Sequence, residues 1–231
     1  MILEGLRRAF EMLLSFDPQV WGPVRVSLEV SCVATLLAAV AAIPLGVVIG
    51  LSRFAGRRII VSVLNTMLAL PTVLVGLLVY GLISRSGPLG AWDILYTPTA
   101  MIIGQTILAM PMICAFTVAS VERSDPRIRL SMLSLGAGRI KASVAVALEN
   151  RAALAAALAA GFGRVFSEVG VAMMLGGNIR GYTRNITTGI AFETGKGEFA
   201  LGVALGTVLL VVALAVNFAV GYWNYRGGRR Q

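Results

Sequence analysis

Two ionisable residues stand where so apolar a chain should carry none. Arg164 and Glu168 interrupt the run AALAAALAAGFGRVFSEVG. Their spacing of four places them on one face of a helix. Charges at membrane depth are costly, and they either pair or line a water-filled route. Pairing is the preferred reading, because a tight cationic site inside a pore would hold an anion too long to pass it on. Neutral donors suit a route better: Ser167, Asn178, Thr183, Thr187 and Thr188, with Thr72 beside Pro71. Hydroxyl and amide groups hydrogen-bond a passing solute without trapping it. Each also has a plainer use, since Ser and Thr in membrane helices bond their own backbone. The region 161–191 is therefore taken as a unit.

Other chemistries are missing. Histidine is absent, which removes the commonest general base and metal ligand. Cys32 and Cys114 both lie inside apolar blocks, with no CxxC or Cys/His cluster for a metal. With no nucleophile–base pair either, an intramembrane enzyme is set aside. There is no GxxxxGK[ST] phosphate loop; Gly195-Lys196-Gly197 lacks the upstream glycine and the following Ser/Thr. No cofactor is expected, and any ATP energy must arrive through a partner.

The elements that must hold these residues are membrane helices. Of 231 residues, 57% are hydrophobic and 13% charged, against about 25% charged in soluble domains. Apolar runs exceed the length that marks a span. The fold class is all-α and polytopic. The net charge of +9 reflects basic residues at the ends of apolar blocks, so nucleic acid is not expected as a partner. No signal peptide is visible at the N-terminus.

Residues 1–24 form an amphipathic helix and connector. Ile2, Leu6, Ala9, Phe10, Leu13 and Leu14 oppose Glu4, Arg7, Arg8 and Glu11. The helix lies at the membrane surface or packs on its own domain, and Asp17-Pro18 ends it. Five spans follow within the membrane domain, 25–225, at about 27–52, 59–84, 98–121, 152–175 and 199–225. Pro44 kinks the first, Pro71 sits in the middle of the second, and Pro111 breaks the third. Gly46 and Gly50 form a GxxxG pair for close approach, and Gly202 and Gly206 repeat the device. Residues 176–198 are too polar to face lipid, and fold back to line the bundle. One side of the membrane receives twelve basic residues and the other seven. The twelve-residue side is therefore cytoplasmic, with the N-terminus outside and a cytoplasmic tail at 226–231.

The loop 122–151 is too charged to span. Ser124-Asp125-Pro126 starts a helix to Leu133; Gly136 and Gly138 allow a sharp turn; a second helix runs from near Arg139 into the membrane at Ala152. Such an elbow offers another protein a grip.

Here the chain resembles the membrane subunit of binding-protein-dependent ABC importers. That family's loop motif is acid-Ala-Ala, three residues, Gly, nine residues, then Ile-x-Leu-Pro. Aligned on Gly136, the apolar pair becomes Val146 and Leu148. The acid-Ala-Ala positions hold Leu130, Ser131 and Met132, and the proline position holds Glu149. The stretches LPTVLVGLLVYGLISRSGPLG (70–90) and GFGRVFSEVGVAMMLGGNIRGYTRNITTGIA (161–191), with Phe16-Asp17-Pro18, resemble the tungstate branch of the molybdate/tungstate permeases.

The resemblance implies a type I importer transmembrane domain. It implies a non-catalytic subunit that docks on a separate ATPase through Ser134, Leu135, Gly136, Ala137 and Gly138. It further implies a homodimer with a second permease copy around a central path, and an extracytoplasmic binding protein delivering an oxyanion, tungstate first, in the cell inner membrane. Arg164 would then attract the oxyanion and Glu168 help a gate close, if they are not a salt bridge. Two alternatives stay open: a permease for molybdate or another substrate, and an ion-coupled secondary transporter with Glu168 as its proton site.

Overall fold

A computed structural model describes residues 2–228. Every regular element among them is helical. α1 is Ile2–Leu14 and α2 is Pro18–Leu51. Asp17 does not merely end α1. Its carboxylate accepts the Gln19 N–H at 2.8 Å, and Pro18 opens a 34-residue α2. The expected connector up to residue 24 is thus already helix. Pro needs no donor at a helix's first position, and Asp supplies the cap.

α3 is Arg57–Leu68 and α4 is Thr72–Ile83. The expected second span is two helices bent by 98°. Pro71 lacks an N–H and forces Leu70 away from helical geometry, so the chain turns rather than kinks. A 3₁₀ turn, Gly90–Trp92, leads to α5, Pro98–Glu122. α5 runs unbroken through Pro111, against expectation. Pro111 is buried, with α2 and α8 packed on α5, and neighbouring helices can hold a helix that has lost one bond.

The elbow consists of α6, Pro126–Ser134, and α7, Arg139–Glu149. α8, Arg151–Phe166, is a separate helix, bent 73° from α7. The expected fourth span is broken as well: α8 stops at Phe166 and α9 is Gly170–Gly176. α10, Ile186–Gly195, covers part of the polar 176–198 stretch, and α11 is Phe199–Gly228. Among the described residues, three helices (α2, α5, α11) are long and apolar enough to cross a membrane, or up to five spans if each bent pair counts as one. Residues 229–231 of the expected tail lie outside the described residues.

The centre is α2 against α5. A Cβ on Gly46 would lie 2.6 Å from Thr117 Cβ, and one on Gly50 2.8 Å from Val121 Cβ. The main core joins Ala38, Val79, Leu108, Ile113, Val165 and Leu175. A second joins Ala9 of α1 to Val20, Phe162, Phe166, Leu201 and Leu205. α1 therefore packs on its own domain through Ala9, Met12 and Leu13, while Leu6, Phe10 and Leu14 stay exposed.

Candidate functional site

The break between α8 and α9 draws several of the expected residues together. Glu168 lies beyond the end of α8, not on a shared helical face with Arg164. Its Oε1 accepts the N–H groups of Gly170 at 2.7 Å and Val171 at 3.3 Å, capping α9. The carboxylate is buried and 4.0 Å from the Arg164 guanidinium. Arg164 is more open and lines a cavity of about 90 Å³ with Met67, Leu68, Leu108 and Met112.

Thr187 donates to the Glu168 carbonyl at 2.6 Å and lies 3.0 Å from Asn185 Oδ1. A Cβ on Gly170 would sit 3.0 Å from the Thr72 hydroxyl oxygen, so α4 starts beside the same cap. Ser167 is exposed, its hydroxyl bonded to the Gly163 carbonyl at 2.8 Å. Arg164, Ser167, Glu168, Thr187 and Thr72 thus form one neighbourhood.

The others are engaged elsewhere. Thr188 and Asn185 form a capping box at the start of α10. Thr183 donates to the Gly176 carbonyl and accepts the Ile179 N–H at 3.0 Å, closing the turn after α9. Asn178, at φ +52°, occupies that turn with its Oδ1 buried and unpartnered.

Sequence reasoning missed the two residues that hold the start of α10, and a second feature. Ser27 accepts the Ile186 N–H at 2.8 Å, tying α10 to α2. Asn185, three residues before a Thr and just ahead of an apolar start, carried a legible cap signal. The other is a charge cluster: Arg184 pairs with buried Glu193 at 2.6 Å, Lys196 stands 3.5 Å from it, and both cations lie over the Phe192 ring. Nothing in a spacing of nine predicts that pair.

At the elbow, Gly136 takes φ +81°, the left-handed turn that favours glycine. Gly138, at φ −65°, is extended and needs no such freedom. Leu135 is 83% exposed and Ile140 82%. Ser134 is exposed beside them and Ala137 half-buried. The aligned apolar pair divides: Val146 is buried against Val47 and Val121, whereas Leu148 is exposed. At the elbow's root, Arg57 bonds the Ile49 carbonyl at 2.9 Å and pairs with Glu122, joining the ends of α2, α3 and α5.

No family model matches the chain. Among characterised proteins, it is 42% identical to the tungstate uptake system permease protein TupB of Peptoclostridium acidaminophilum, over 95% of this chain and 96% of that one. It is 40% identical to TupB of Campylobacter jejuni, over 94% and 91%. It is 39% identical to a probable anion ABC transporter permease protein of Haloferax volcanii, over 83% and 85%. With that similarity covering nearly the whole chain, this chain belongs to the permease subunits of ABC transporters, in the group that holds the tungstate uptake permeases.

Proposed function

We propose that the chain is the membrane-spanning subunit of an ATP-driven importer that passes an oxyanion, tungstate foremost. The exposed apolar tip of the elbow carries this reading. Leu135 and Ile140 stand in solvent on either side of the Gly136 turn. An apolar tip held out on two short helices is costly in water and suits a surface that another protein covers. That partner is a separate ATPase subunit, gripping Ser134 to Gly138 from the cytoplasm.

The N-terminus is outside and the C-terminus cytoplasmic, as the basic residues imply. A second copy completes the path, and an extracytoplasmic binding protein delivers the anion to the opposite face. Within the path, Arg164 is the attracting cation. It is held only loosely by Glu168, whose carboxylate is engaged with backbone amides, so its charge is left available for an oxyanion.

The test is reconstitution in proteoliposomes with the ATPase and binding protein, comparing uptake of tungstate, molybdate and sulfate. ATP-dependent uptake with tungstate preferred is expected. Uptake that persists without the ATPase overturns the reading in favour of an ion-coupled carrier.

A further inference from the structure

α3 contributes no buried residue, although with α4 it forms one of the bent spans. It runs beside one half of α5. Arg57 pairs with Glu122 at one end, and Met67 and Leu68 meet Leu108 and Met112 at the other. Asn65 and Ser62 therefore sit at membrane depth.

Helical spacing divides α3 into three sectors. Arg57, Leu64, Met67 and Leu68 face the bundle, Leu64 packing against the main core. Ile59 and Val63 form a second sector, 69% and 51% exposed. Arg58, Ser62, Asn65 and Thr66 follow one another at intervals of four, three and one, all exposed, as the third. Thr66 bonds the Ser62 carbonyl at 2.9 Å, while the Asn65 side chain is exposed.

An exposed carboxamide turned toward hydrocarbon is costly. The apolar sector meets lipid at no such cost, so the polar one must face something wet. Its upper end, at Asn65 and Thr66, lies one turn or less below Leu68 of the neighbouring bundle-facing sector, which lines the Arg164 cavity, and its lower end is the basic connector before α3. We infer that Arg58, Ser62, Asn65 and Thr66 line the stretch of the anion's route between Arg164 and the cytoplasm. Asn65 and Ser62 donate to its oxygens as it leaves, and neutral donors there bind weakly enough to let it go. This rests on the importer reading above.

Single cysteines test it in the reconstituted complex, with Cys32 and Cys114 replaced by Ala. Ser62→Cys, Asn65→Cys and Val63→Cys are each treated with an anionic, membrane-impermeant thiosulfonate from the cytoplasmic side. The thiolate is the reacting species and is suppressed in lipid, so the first two should react roughly a hundredfold faster than Val63→Cys. Tungstate during turnover should slow their labelling. Equal rates at the three positions, or no reaction at 62 and 65, overturn the inference. Labelling at 62 and 65 that tungstate leaves unchanged also overturns it, marking a wet crevice off the route. Tungstate uptake by the unlabelled complex reads the importer assignment separately.

Discussion

Glu168 is bound to the backbone ahead of it more closely than to Arg164. Its Oε1 is 2.7 Å from the Gly170 nitrogen, whereas its other oxygen is 4.0 Å from the Arg164 guanidinium. The two charges that stand out in the sequence thus have different surroundings. Glu168 holds the start of α9 in place, and Arg164 is left facing a small cavity.

Replacing the capping carboxylate therefore separates shape from charge. Glu168→Gln keeps an acceptor for the Gly170 and Val171 amides, and should keep fold and uptake close to wild type. Glu168→Ala strands both amides and should lower stability by about 1–2 kcal/mol, seen as an earlier thermal midpoint in detergent. Abolished uptake in a well-folded Glu168→Gln would instead mark a proton-carrying carboxylate, as a secondary transporter requires.

Arg164→Ala should leave assembly intact. The pair is 4.0 Å apart, and the buried Glu168 carboxylate keeps its bonds to the Gly170 and Val171 amides when Arg164 is removed. Losing a charged donor to the anion should cut uptake by roughly tenfold or more. A subunit that no longer assembles would restore the salt-bridge role favoured by sequence reasoning.

Close approach of α2 and α5 at Gly46 is sensitive to a single side chain. A Cβ there would meet Thr117 Cβ at 2.6 Å and the Cys114 carbonyl at 2.9 Å. Gly46→Leu should cost about 2–3 kcal/mol through overpacking. Gly81→Ala, with nothing within 4 Å of its new Cβ, should be neutral or slightly stabilising. Thermal unfolding of the purified subunit checks both.

At the elbow, Gly136→Asp should abolish co-purification of the ATPase subunit without stopping membrane insertion. The new Cβ meets open space, but the φ of +81° disfavours it and the charge sits on the docking tip. Leu135→Ser removes apolar contact without backbone strain and should weaken co-purification in the same direction. Unchanged co-purification in both variants would reject docking at this turn.

The sequence by itself determined that this is a helical membrane protein with a bent elbow after Glu122 and small residues for close packing at Gly46 and Gly50. These follow from local rules: apolar length, a capping Asp125 before Pro126, and a glycine where only a left-handed turn fits. It also marked the Arg164–Glu168 stretch as unusual. Only the tertiary structure decided where each of the two sits, Glu168 against the backbone amides that start α9 and Arg164 on a small cavity. Pro71 turns the chain by 98° while Pro111 does not break it, because what surrounds a proline settles whether its lost bond is tolerated. The α8–α9 break lies beside Thr187, which bonds the Glu168 carbonyl from a distant stretch, and beside the start of α4 at Thr72. The Arg184–Glu193 pair and the exposed polar sector of α3 likewise depend on which surfaces the helices bury. Burial is a property of the packed bundle, and no local spacing encodes it.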